Sequence, residues 1–379
     1  MRIASPHCGA EPQSQSGGEV YERNLIHALG QTCDLHLILA SHLTDPPGAT
    51  VVHRPRLRRG LRWWVTPFVW PQAIARCWKT CGGFDLLRAH SVRYAGPSCL
   101  WARRRLRLPV PVVTHIHHLD PSPLNWLVER RVLVASDLVV TDSEFAKGQL
   151  VHDLGVPPDM IRGVHSGIAD CYRPDGIERT RMRTEPVFLW AAGKTLLLAC
   201  GQLIRRKDPG FAIRVLRALR DAGLGDRVRL VWIGSGPLWR RVHAESTRLA
   251  VGDMVRWLGQ VPEPLKFALY QRADIFLHPS TLEGFALAPQ EAMACGVPVV
   301  GRLAASMAEM VEDGVTGFLA ASEDEYVRRV RWLVEQPALR AAMGLAAARD
   351  ADARFRWGRT VDGVKRAYEE AVESYRGKA

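Results

Sequence analysis

The stretch HPSTLEGFALAPQEAMACGVPVV, from His278 to Val300, predicts the end of one strand, a turn, a helix and a second strand. The apolar run ends at HPS, TLEGFA has the composition of a turn, and APQEAMACG predicts a helix closed by Gly296. Glu283 and Glu291 lie eight positions apart in this small and apolar context. Burying carboxylates is costly without a partner, so either the chain pairs them internally or they bind a polar ligand.

Strand-length apolar runs alternate with amphipathic segments along the whole chain, which is typical of parallel sheets covered by helices. The runs begin at Leu35, Val110, Leu138, Leu196, Arg229, Asp274 and Val297. We therefore predict an α/β fold with two doubly wound, Rossmann-like domains that face each other across a cleft. The first domain spans residues 1–173, a charged linker 174–194, and the second domain 195–353, while a C-terminal helix at 354–379 packs back on the first domain.

Composition favours a soluble enzyme, because 47% of the 379 residues are hydrophobic and 24% are charged. The sequence shows neither an apolar run of membrane-spanning length nor a signal-peptide pattern, so we expect a cytoplasmic protein. Its eight cysteines lack metal-binding spacing. Cys77 and Cys81 would lie one helical turn apart, which favours reduced, packed thiols over a disulfide framework.

The formal charge of +12 indicates anionic partners. In HRPRLRRGLRWW, from His53, arginines precede tryptophans, a combination suited to the headgroup layer of an anionic membrane; WARRRLRL, from Trp101, is a second basic cluster. A solvated arginine face beside core aromatics is the alternative. No nucleic-acid-binding module accompanies the charge, so nucleic acid is not expected as a partner. The residues predicted to contact a membrane or lipid acceptor are Arg58, Arg59, Arg62, Trp63, Trp64 and Trp70.

The chemistry of the opening stretch suits a phosphorylated sugar. Gly284 allows backbone amides to approach a ligand, and the helix N-terminus that follows favours a diphosphate. Carboxylates accept hydrogen bonds from vicinal hydroxyls, so Glu283 and Glu291 could both bind sugar or ribose. A capping acid and a surface acid are the plainer alternative.

The segment EGFALAPQEAMACGVPVV resembles the E-x7-E signature of retaining family-4 glycosyltransferases with the GT-B fold, and the similarity covers nearly the whole chain. The resemblance implies that Glu291 binds the nucleotide ribose and Glu283 the donor-sugar hydroxyls. It also implies that backbone amides of Gly284, Phe285 and Ala286 contact sugar and phosphate. The family usually has a second glycine where this chain has Ala286.

ACGQLIRRKDPG, from Ala199, resembles the G-R-L-x-x-x-K motif of the same family and makes Lys207 the phosphate-binding lysine. Fixed cations stabilise the charge that develops on a departing diphosphate. Gln202 replaces the usual arginine, so either Arg205 or Arg206 compensates or one contact is a neutral hydrogen bond. A solvated loop is the alternative, above all for Arg205.

Two glycine pairs follow predicted strands. Gly234 and Gly236 in WIGSGP resemble the family's G-x-G-P turn, for which a tight structural turn and a phosphate contact are both open. Gly17 and Gly18 precede a helix and resemble the Gly-Gly loop that follows the family's first strand. These two would let the backbone contact a phosphate, unless they form a flexible loop.

Three histidines end the predicted strand in VVTHIHHLD, from Val112. Strand alternation places His115 and His117 on one face and His118 on the other, which disfavours a zinc site. The family carries a histidine near the reacting sugar carbon, which His117 matches best, with His118 as the second choice and a core histidine as the alternative. Ala305 and Ser306 stand where the family has Gly-Gly.

The expected activity is transfer of a hexosyl group, with retention, from a UDP- or GDP-sugar to an acceptor hydroxyl. His117, Lys207 and Glu283 are the predicted catalytic residues, and no metal or prosthetic group is expected. The expected acceptor is a lipid-linked oligosaccharide or lipopolysaccharide precursor at the inner membrane face, in synthesis of bacterial surface polysaccharide or glycolipid; a soluble small molecule is the alternative. Two other functions stay open: a sugar phosphorylase of the same fold, and an inactive nucleotide-sugar-binding partner protein.

Overall fold

The computed structural model describes residues 1–7, 17–39, 51–53, 62–117, 123–175 and 184–378. They form two compact units: unit 1 comprises Met1–Gly167 and Trp357–Ala379, and unit 2 comprises Ile168–Arg356. Each unit has its own parallel sheet with helices.

Unit 1 has a seven-stranded parallel sheet in the order β3-β2-β1-β4-β5-β6-β7. The strands are β1 Arg2–His7, β2 Asp34–Leu39, β3 Val51–His53, β4 Leu86–Ala89, β5 Val112–His115, β6 Leu138–Thr141 and β7 Ile161–Gly163. The helices between them are α1 Gly17–Gly30, α2 Arg62–Thr80, α3 Ala95–Leu106, α4 Pro123–Ala135 and α5 Glu144–Leu154.

Unit 2 has a six-stranded parallel sheet in the order β10-β9-β8-β11-β12-β13. Its strands are β8 Thr195–Cys200, β9 Val228–Ile233, β10 Val255–Gly259, β11 Ile275–His278, β12 Val299–Arg302 and β13 Gly317–Ala320. Its helices are α6 Pro186–Trp190, α7 Pro209–Asp221, α8 Trp239–Arg248, α9 Glu263–Arg272, α10 Leu287–Ala294, α11 Met307–Met310, α12 Glu323–Glu335 and α13 Pro337–Arg354.

Strand β8 shows why these apolar runs form buried parallel strands. Leu196 and Leu198 pack into one apolar cluster of unit 2, whereas Leu197 and Ala199 pack into another. Alternate side chains point to opposite faces of a sheet, so both faces of this strand are covered.

The strand order reverses at one place in each sheet, between β1 and β4 in unit 1 and between β8 and β11 in unit 2. Open α/β sheets bind ligands beyond the carboxyl ends of the strands at such a switch point. Each of the seven predicted runs contains a strand. The prediction of an α/β fold with two doubly wound units is confirmed.

The unit boundaries differ from the predicted domain boundaries. Unit 2 begins at Ile168, and α6 lies within the stretch 174–194 that we predicted to be a linker. Val187 and Phe188 of α6 are buried in the apolar core of unit 2. The described part of that stretch is therefore integrated into unit 2, because its short apolar run packs against the sheet.

The C-terminal helix α14, Trp357–Lys378, belongs to unit 1. Its buried face includes Val364, Tyr368 and Ala371, and α14 packs against α1, β5 and β6. The chain thus returns to its first unit after completing the second.

The predicted membrane-contacting residues fall in or near α2. Trp70 is fully buried in a core cluster of unit 1, so its prediction as a membrane contact is wrong: it packs against the sheet instead. Arg58 and Arg59 lie outside the described residues, as do the side chains of Arg62, Trp63 and Trp64. Within the described ranges, none of the helices combines the length and apolar character needed to cross a bilayer.

Candidate functional site

The loops on either side of the switch point in unit 2 are joined to each other. A 3-10 turn, Arg205–Lys207, follows β8, and the segment that carries Glu283 follows β11. The Thr281 backbone amide donates a hydrogen bond to the Arg206 carbonyl at 2.8 Å. The predicted cations and the first predicted carboxylate therefore meet where the fold favours a ligand.

Glu283 is paired with both of the expected phosphate-binding cations. Its Oε1 lies 2.6 Å from Lys207 Nζ, and its Oε2 lies 2.8 Å from Arg206 Nη1. Burial raises the pKa of Glu283, but Lys207, His278 and Arg206 outweigh it and lower that pKa to about 2. Glu283 is thus a carboxylate at neutral pH, which answers how the chain can keep this acid buried.

The residue after Lys207 has an unusual backbone. Asp208 adopts a left-handed conformation with φ of 41°, and its side chain accepts a hydrogen bond from the Phe211 amide at the start of α7. Arg302 Nη2 lies 2.6 Å from Asp208 Oδ2. The cap and the ion pair hold a conformation that residues other than glycine rarely adopt, and so fix the end of the Lys207 turn.

Glu291, in α10, has a partner that the sequence analysis missed. Lys266 Nζ in α9 lies 3.0 Å from Glu291 Oε1. The same ammonium lies 5.4 Å from the ring centre of Tyr172 and 5.7 Å from that of Tyr270. The carboxylate is therefore fixed by a lysine that two aromatic rings hold in place.

Cys200, the last residue of β8, has a thiol whose pKa responds to charges of both acid–lysine pairs. Burial raises the pKa of the Cys200 thiol, and the charges of Lys266, Glu291 and Lys207 also act on that pKa. A Cβ on Gly201, the residue after Cys200, would lie 3.3 Å from Lys207 Cδ, so the Lys207 pair lies at the carboxyl end of β8.

Close backbone packing within the chain explains why the G-x-G-P turn has glycine at both positions. A Cβ on Gly234 would lie 2.2 Å from the Gly201 carbonyl oxygen, and one on Gly236 would lie 2.6 Å from the Leu203 carbonyl oxygen. The Leu203 amide also donates to the Ser235 carbonyl at 3.0 Å. The turn after β9 thus packs backbone to backbone against the loop after β8, and a phosphate contact for these glycines stays a prediction.

The two alanines that replace family glycines behave differently. Ala286 has φ of −80°, ordinary backbone for any residue. Ala305 has φ of 51°, so it keeps the left-handed conformation that glycine adopts more readily. The adjacent Ser306 Oγ donates to the Glu283 carbonyl at 3.4 Å, so the Ala305 loop supports the acidic segment.

The remaining predicted positions in unit 2 surround these pairs. Phe285 is buried against Phe355 with ring centres 5.7 Å apart, and Gly284 precedes it at the entrance to α10. Gln202 and Arg205 are exposed. Lys207 and Arg206 therefore provide the cations that contact Glu283, and Arg205 points to solvent.

Gly17 and Gly18 form the start of α1 in unit 1. Both are exposed, and a Cβ on either would meet nothing within 4 Å. Packing within the described part of the chain does not require glycine here, so the phosphate contact of these residues stays a prediction.

His117 lies just after β5, between two carboxylates of unit 1. Its Nδ1 is 3.3 Å from Asp142 Oδ2, its Nε2 is 3.8 Å from Glu22 Oε1, and a quarter of its side chain is exposed. Burial lowers the pKa of His117, but Asp142 and Glu22 outweigh burial and raise that pKa to about 9. The imidazole is therefore a cation at neutral pH. His118, the second choice, lies outside the described residues.

The neighbouring histidines of unit 1 are neutral at pH 7, in contrast to His117. Burial lowers the pKa of His7 and of His115 well below the usual value, and it lowers the pKa of His90 to about 4. His7 and His90 stack with ring centres 4.1 Å apart. Among these four imidazoles, His117 is the one that is protonated.

A buried ion pair lies behind His117. Arg88 Nη2 donates to both oxygens of Glu22 at 2.9 Å, and Arg88 Nε donates to the Tyr368 hydroxyl at 2.8 Å. The Tyr368 hydroxyl also lies 2.7 Å from His115 Nε2. The C-terminal helix thus completes the network that positions Glu22.

Sequence reasoning missed Lys266, Glu22, Arg88 and Asp142. A signal existed for Glu22, because it shares helical spacing with Leu25, Ile26 and Leu29 and so falls on the apolar face of α1. A lysine inside the apolar segment LKFALYQRA was a weaker signal for Lys266.

Two family models match the chain. The model described as Glycosyl transferases group 1 matches residues 182–350, and the model described as Glycosyltransferase Family 4 matches residues 15–170. The two matches fall largely on unit 2 and unit 1 respectively.

Relatives extend the similarity across both units. The D-inositol 3-phosphate glycosyltransferase 1 of Catenulispora acidiphila is 28% identical over 320 residues, covering 78% of this chain and 75% of that protein. The D-inositol 3-phosphate glycosyltransferase of Salinispora arenicola is 30% identical over 325 residues, covering 78% of this chain and 71% of that protein.

A solved structure shares the fold. The crystal structure of Anabaena HepE in complex with UDP has a TM-score of 0.79 at 20% sequence identity, and the match covers 98% of this chain and 100% of that chain. The protein is therefore a glycosyltransferase with the GT-B fold, acting on a nucleotide-sugar donor. More narrowly, the chain belongs to family 4, within the group 1 glycosyltransferases, and the family predicted from the E-x7-E stretch is confirmed.

Proposed function

We propose that the protein transfers a hexosyl group, with retention, from a uridine or guanosine diphosphate sugar to an acceptor hydroxyl. The observation that carries the proposal is the Lys207–Glu283 pair, 2.6 Å long, at the switch point of unit 2. The UDP complex of the structurally similar Anabaena HepE favours uridine as the nucleotide.

Lys207 has donors left for a diphosphate. An ammonium has three N–H groups, and Glu283 accepts one of them, so Lys207 is positioned while it can still bind phosphate oxygens. Arg206, 45% exposed in its side chain, adds a second cation. Fixed positive charge stabilises the leaving diphosphate as the glycosidic bond breaks, and no metal is needed for that role.

Glu283 and Glu291 have acceptor capacity left for hydroxyls. A carboxylate has about four lone-pair sites; Lys207 and Arg206 occupy two on Glu283, and Lys266 occupies one on Glu291. We assign Glu283 to the donor-sugar hydroxyls and Glu291 to the ribose. His117, held as a cation by Asp142 and Glu22, is assigned to orient the sugar near its reacting carbon.

Retention follows if the acceptor hydroxyl attacks from the face on which the diphosphate departs. The new glycosidic bond forms as the old one breaks, and the acceptor's proton passes to a phosphate oxygen of the leaving group. In this mechanism Lys207 holds that phosphate, and a pair of carboxylates of the kind that glycosidases use is not required.

Two measurements test the proposal. A thermal-shift screen against UDP, GDP and their common sugars should raise the melting temperature for one nucleotide series, because ligand binding stabilises the native state. Release of that nucleotide should then depend on added acceptor. Binding without release would support the alternative of an inactive binding protein, and a requirement for free phosphate would support a phosphorylase.

The acceptor is proposed to be membrane-associated, with the enzyme at the cytosolic membrane face. Trp101, Arg104 and Arg105 are exposed and lie on one face of α3, and exposed Phe68 of α2 has its ring centre 6.3 Å from that of Trp101. Aromatic rings beside arginines suit anionic headgroups. Flotation with anionic liposomes should show salt-sensitive binding that Trp101→Ala reduces; transfer to a soluble sugar without liposome binding would favour the small-molecule acceptor.

A further inference from the structure

A group of potential metal ligands lies in unit 1, apart from the residues assigned above. His36 of β2, Cys77 of α2 and Cys81 just after α2 each offer one ligand atom, and these atoms all lie within 4.8 Å of one another. His36 and Cys77 are buried, while Cys81 is partly exposed. More than 40 positions of sequence separate His36 from Cys77, so the three residues come together only in the fold.

The group lies at the edge of the sheet opposite the switch-point loops. His36 is the third residue of β2, and Cys81 precedes the start of β4. In a parallel sheet these are amino-terminal positions, whereas ligands of Rossmann-like folds bind beyond the carboxyl ends. A metal here would therefore lie away from the groups assigned to sugar transfer.

The ligand types match a thiophilic ion. Tetrahedral zinc has Zn–S distances of about 2.3 Å and Zn–N distances of about 2.0–2.1 Å, which place ligand atoms about 3.4–3.8 Å apart. Ligand atoms that are already within 4.8 Å of one another reach this geometry by small side-chain rotations. Two thiolates and an imidazole favour Zn²⁺ over hard cations such as Mg²⁺ or Ca²⁺.

The surroundings of His36 provide a second observation. His36 is 4% exposed, and neither its Nδ1 nor its Nε2 makes a hydrogen bond of good geometry with the described residues. Its Nε2 lies 3.1 Å from Asp34 Oδ1. A carboxylate that accepts the proton of one ring nitrogen directs the lone pair of the other, and this arrangement recurs behind zinc-binding histidines.

Hydrogen bonding explains the thiol of Cys81 but not the imidazole. Cys81 Sγ donates to the Cys77 carbonyl at 2.8 Å, as a reduced thiol would. One buried ring nitrogen without a partner also occurs at other histidines, His7 and His115 among them, but among the described histidines only His36 has two, and that calls for an explanation.

We propose that His36, Cys77 and Cys81 bind one Zn²⁺ ion that fastens the C-terminal end of α2 to β2. On binding, each thiol releases its proton and the imidazole contributes a neutral nitrogen lone pair. The fourth position is taken by water, because Cys81 borders a surface depression lined by Asp34, Gly82 and Asp85.

The test uses the full chain, freed of metal and titrated with Co²⁺ as a spectroscopic probe and with Zn²⁺ in competition. We expect one equivalent of Co²⁺ to produce thiolate-to-cobalt charge-transfer absorption that Zn²⁺ abolishes. Cys81→Ser and His36→Gln should each remove it, and Asp34→Asn should weaken binding roughly 10- to 100-fold. Cys171→Ser, which removes an exposed thiol of unit 2, is the matched control and should bind normally.

Several outcomes would overturn the site. One is the absence of charge-transfer absorption in the wild-type chain, and another is absorption that survives both Cys81→Ser and His36→Gln. Peptide mapping of the wild-type chain without reductant covers the case of a variant that fails to fold: a Cys77–Cys81 disulfide would exclude two thiolate ligands. Metal content and spectra do not depend on sugar transfer, so this test is independent of the proposed function.

Discussion

Glu22 in unit 1 and Glu283 in unit 2 are both buried carboxylates held by cations, yet their partners differ in exposure. The side chain of Arg88, the partner of Glu22, is 1% exposed, whereas that of Arg206, a partner of Glu283, is 45% exposed. Burial raises the pKa of each carboxyl, and cations outweigh it, so that both pKa values are lowered. Both carboxylates are held in the same way, but the exposed cation beside Glu283 can still bind a ligand, whereas the buried Arg88 cannot.

Arg88 has no donor to spare. Its guanidinium binds both oxygens of Glu22, the Tyr368 hydroxyl, Ser5 Oγ at 3.4 Å and His7 Nε2 at 3.3 Å. Lys207 gives one donor to Glu283 and keeps others for an anion. The contrast separates an ion pair that holds a fold together from one that can serve a reaction.

The largest effect should follow from breaking the buried Arg88–Glu22 pair. Arg88→Met leaves Glu22 buried without its main cation, and we expect a loss of about 3–5 kcal/mol in the free energy of unfolding, measured by urea denaturation. The double variant with Glu22→Gln removes the stranded charge and should recover much of that loss. Equal losses in the single and double variants would contradict the assignment.

Breaking the Lys207–Glu283 pair should affect activity more than stability. Lys207→Met should lower kcat by about 10²–10³-fold, because a fixed charge on the leaving diphosphate is lost. Glu283 is buried and loses its main cation but keeps Arg206, so we expect a loss of about 1–3 kcal/mol in the free energy of unfolding, smaller than for Arg88→Met. The matched control is Arg205→Met, which removes an exposed cation from the same turn and should keep near-normal turnover. Similar rates for the two variants would contradict the role of Lys207.

The ion pairs of His117 should make the stability of the protein depend on pH. Its folded pKa of about 9 lies above the usual 6.5, so its pairing with Asp142 and Glu22 stabilises the fold fully below pH 6.5. That contribution, at most about 3 kcal/mol, is lost as pH rises through 9. His117→Gln should therefore be less stable than the wild type at pH 6 and close to it at pH 10, in parallel urea titrations. A stability difference that does not change with pH would refute the charged state.

The sequence predicted unit 2 better than unit 1, and the reason is physical. Lys207 and Glu283 lie in short segments at strand ends, so the sheet order alone brings them together. Arg88 meets Tyr368 across 280 positions of chain, and the periodicity of either segment alone cannot predict that contact. The pairing of His36 with Cys77 and Cys81 was missed for the same reason.

Local composition also misled where packing overrode it. Trp70 follows a basic cluster and looked like an interfacial residue, but it belongs to the buried face of α2. The charged stretch at 174–194 looked like a linker, yet Val187 and Phe188 within it pack in the core. Tertiary burial decides such cases, and a single sequence does not contain it explicitly.

The smallest expected effect concerns the backbone beneath Glu283. Ala305 and Ala250 have nearly equal left-handed φ angles of 51° and 52°, but the loop of Ala305 supports the Glu283 segment, whereas Ala250 is exposed beyond α8. Relief of left-handed strain outweighs the chain entropy that glycine costs, so Ala305→Gly and Ala250→Gly should each raise the free energy of unfolding by about 0.5–1 kcal/mol. Because the ion pairs with Lys207 and Arg206 fix Glu283, we expect both variants to keep wild-type kcat. A tenfold fall in kcat for Ala305→Gly alone would mean that Glu283 depends on the rigidity of this loop, and the contrast with Glu22 would then lie in backbone support as much as in the exposure of the cation.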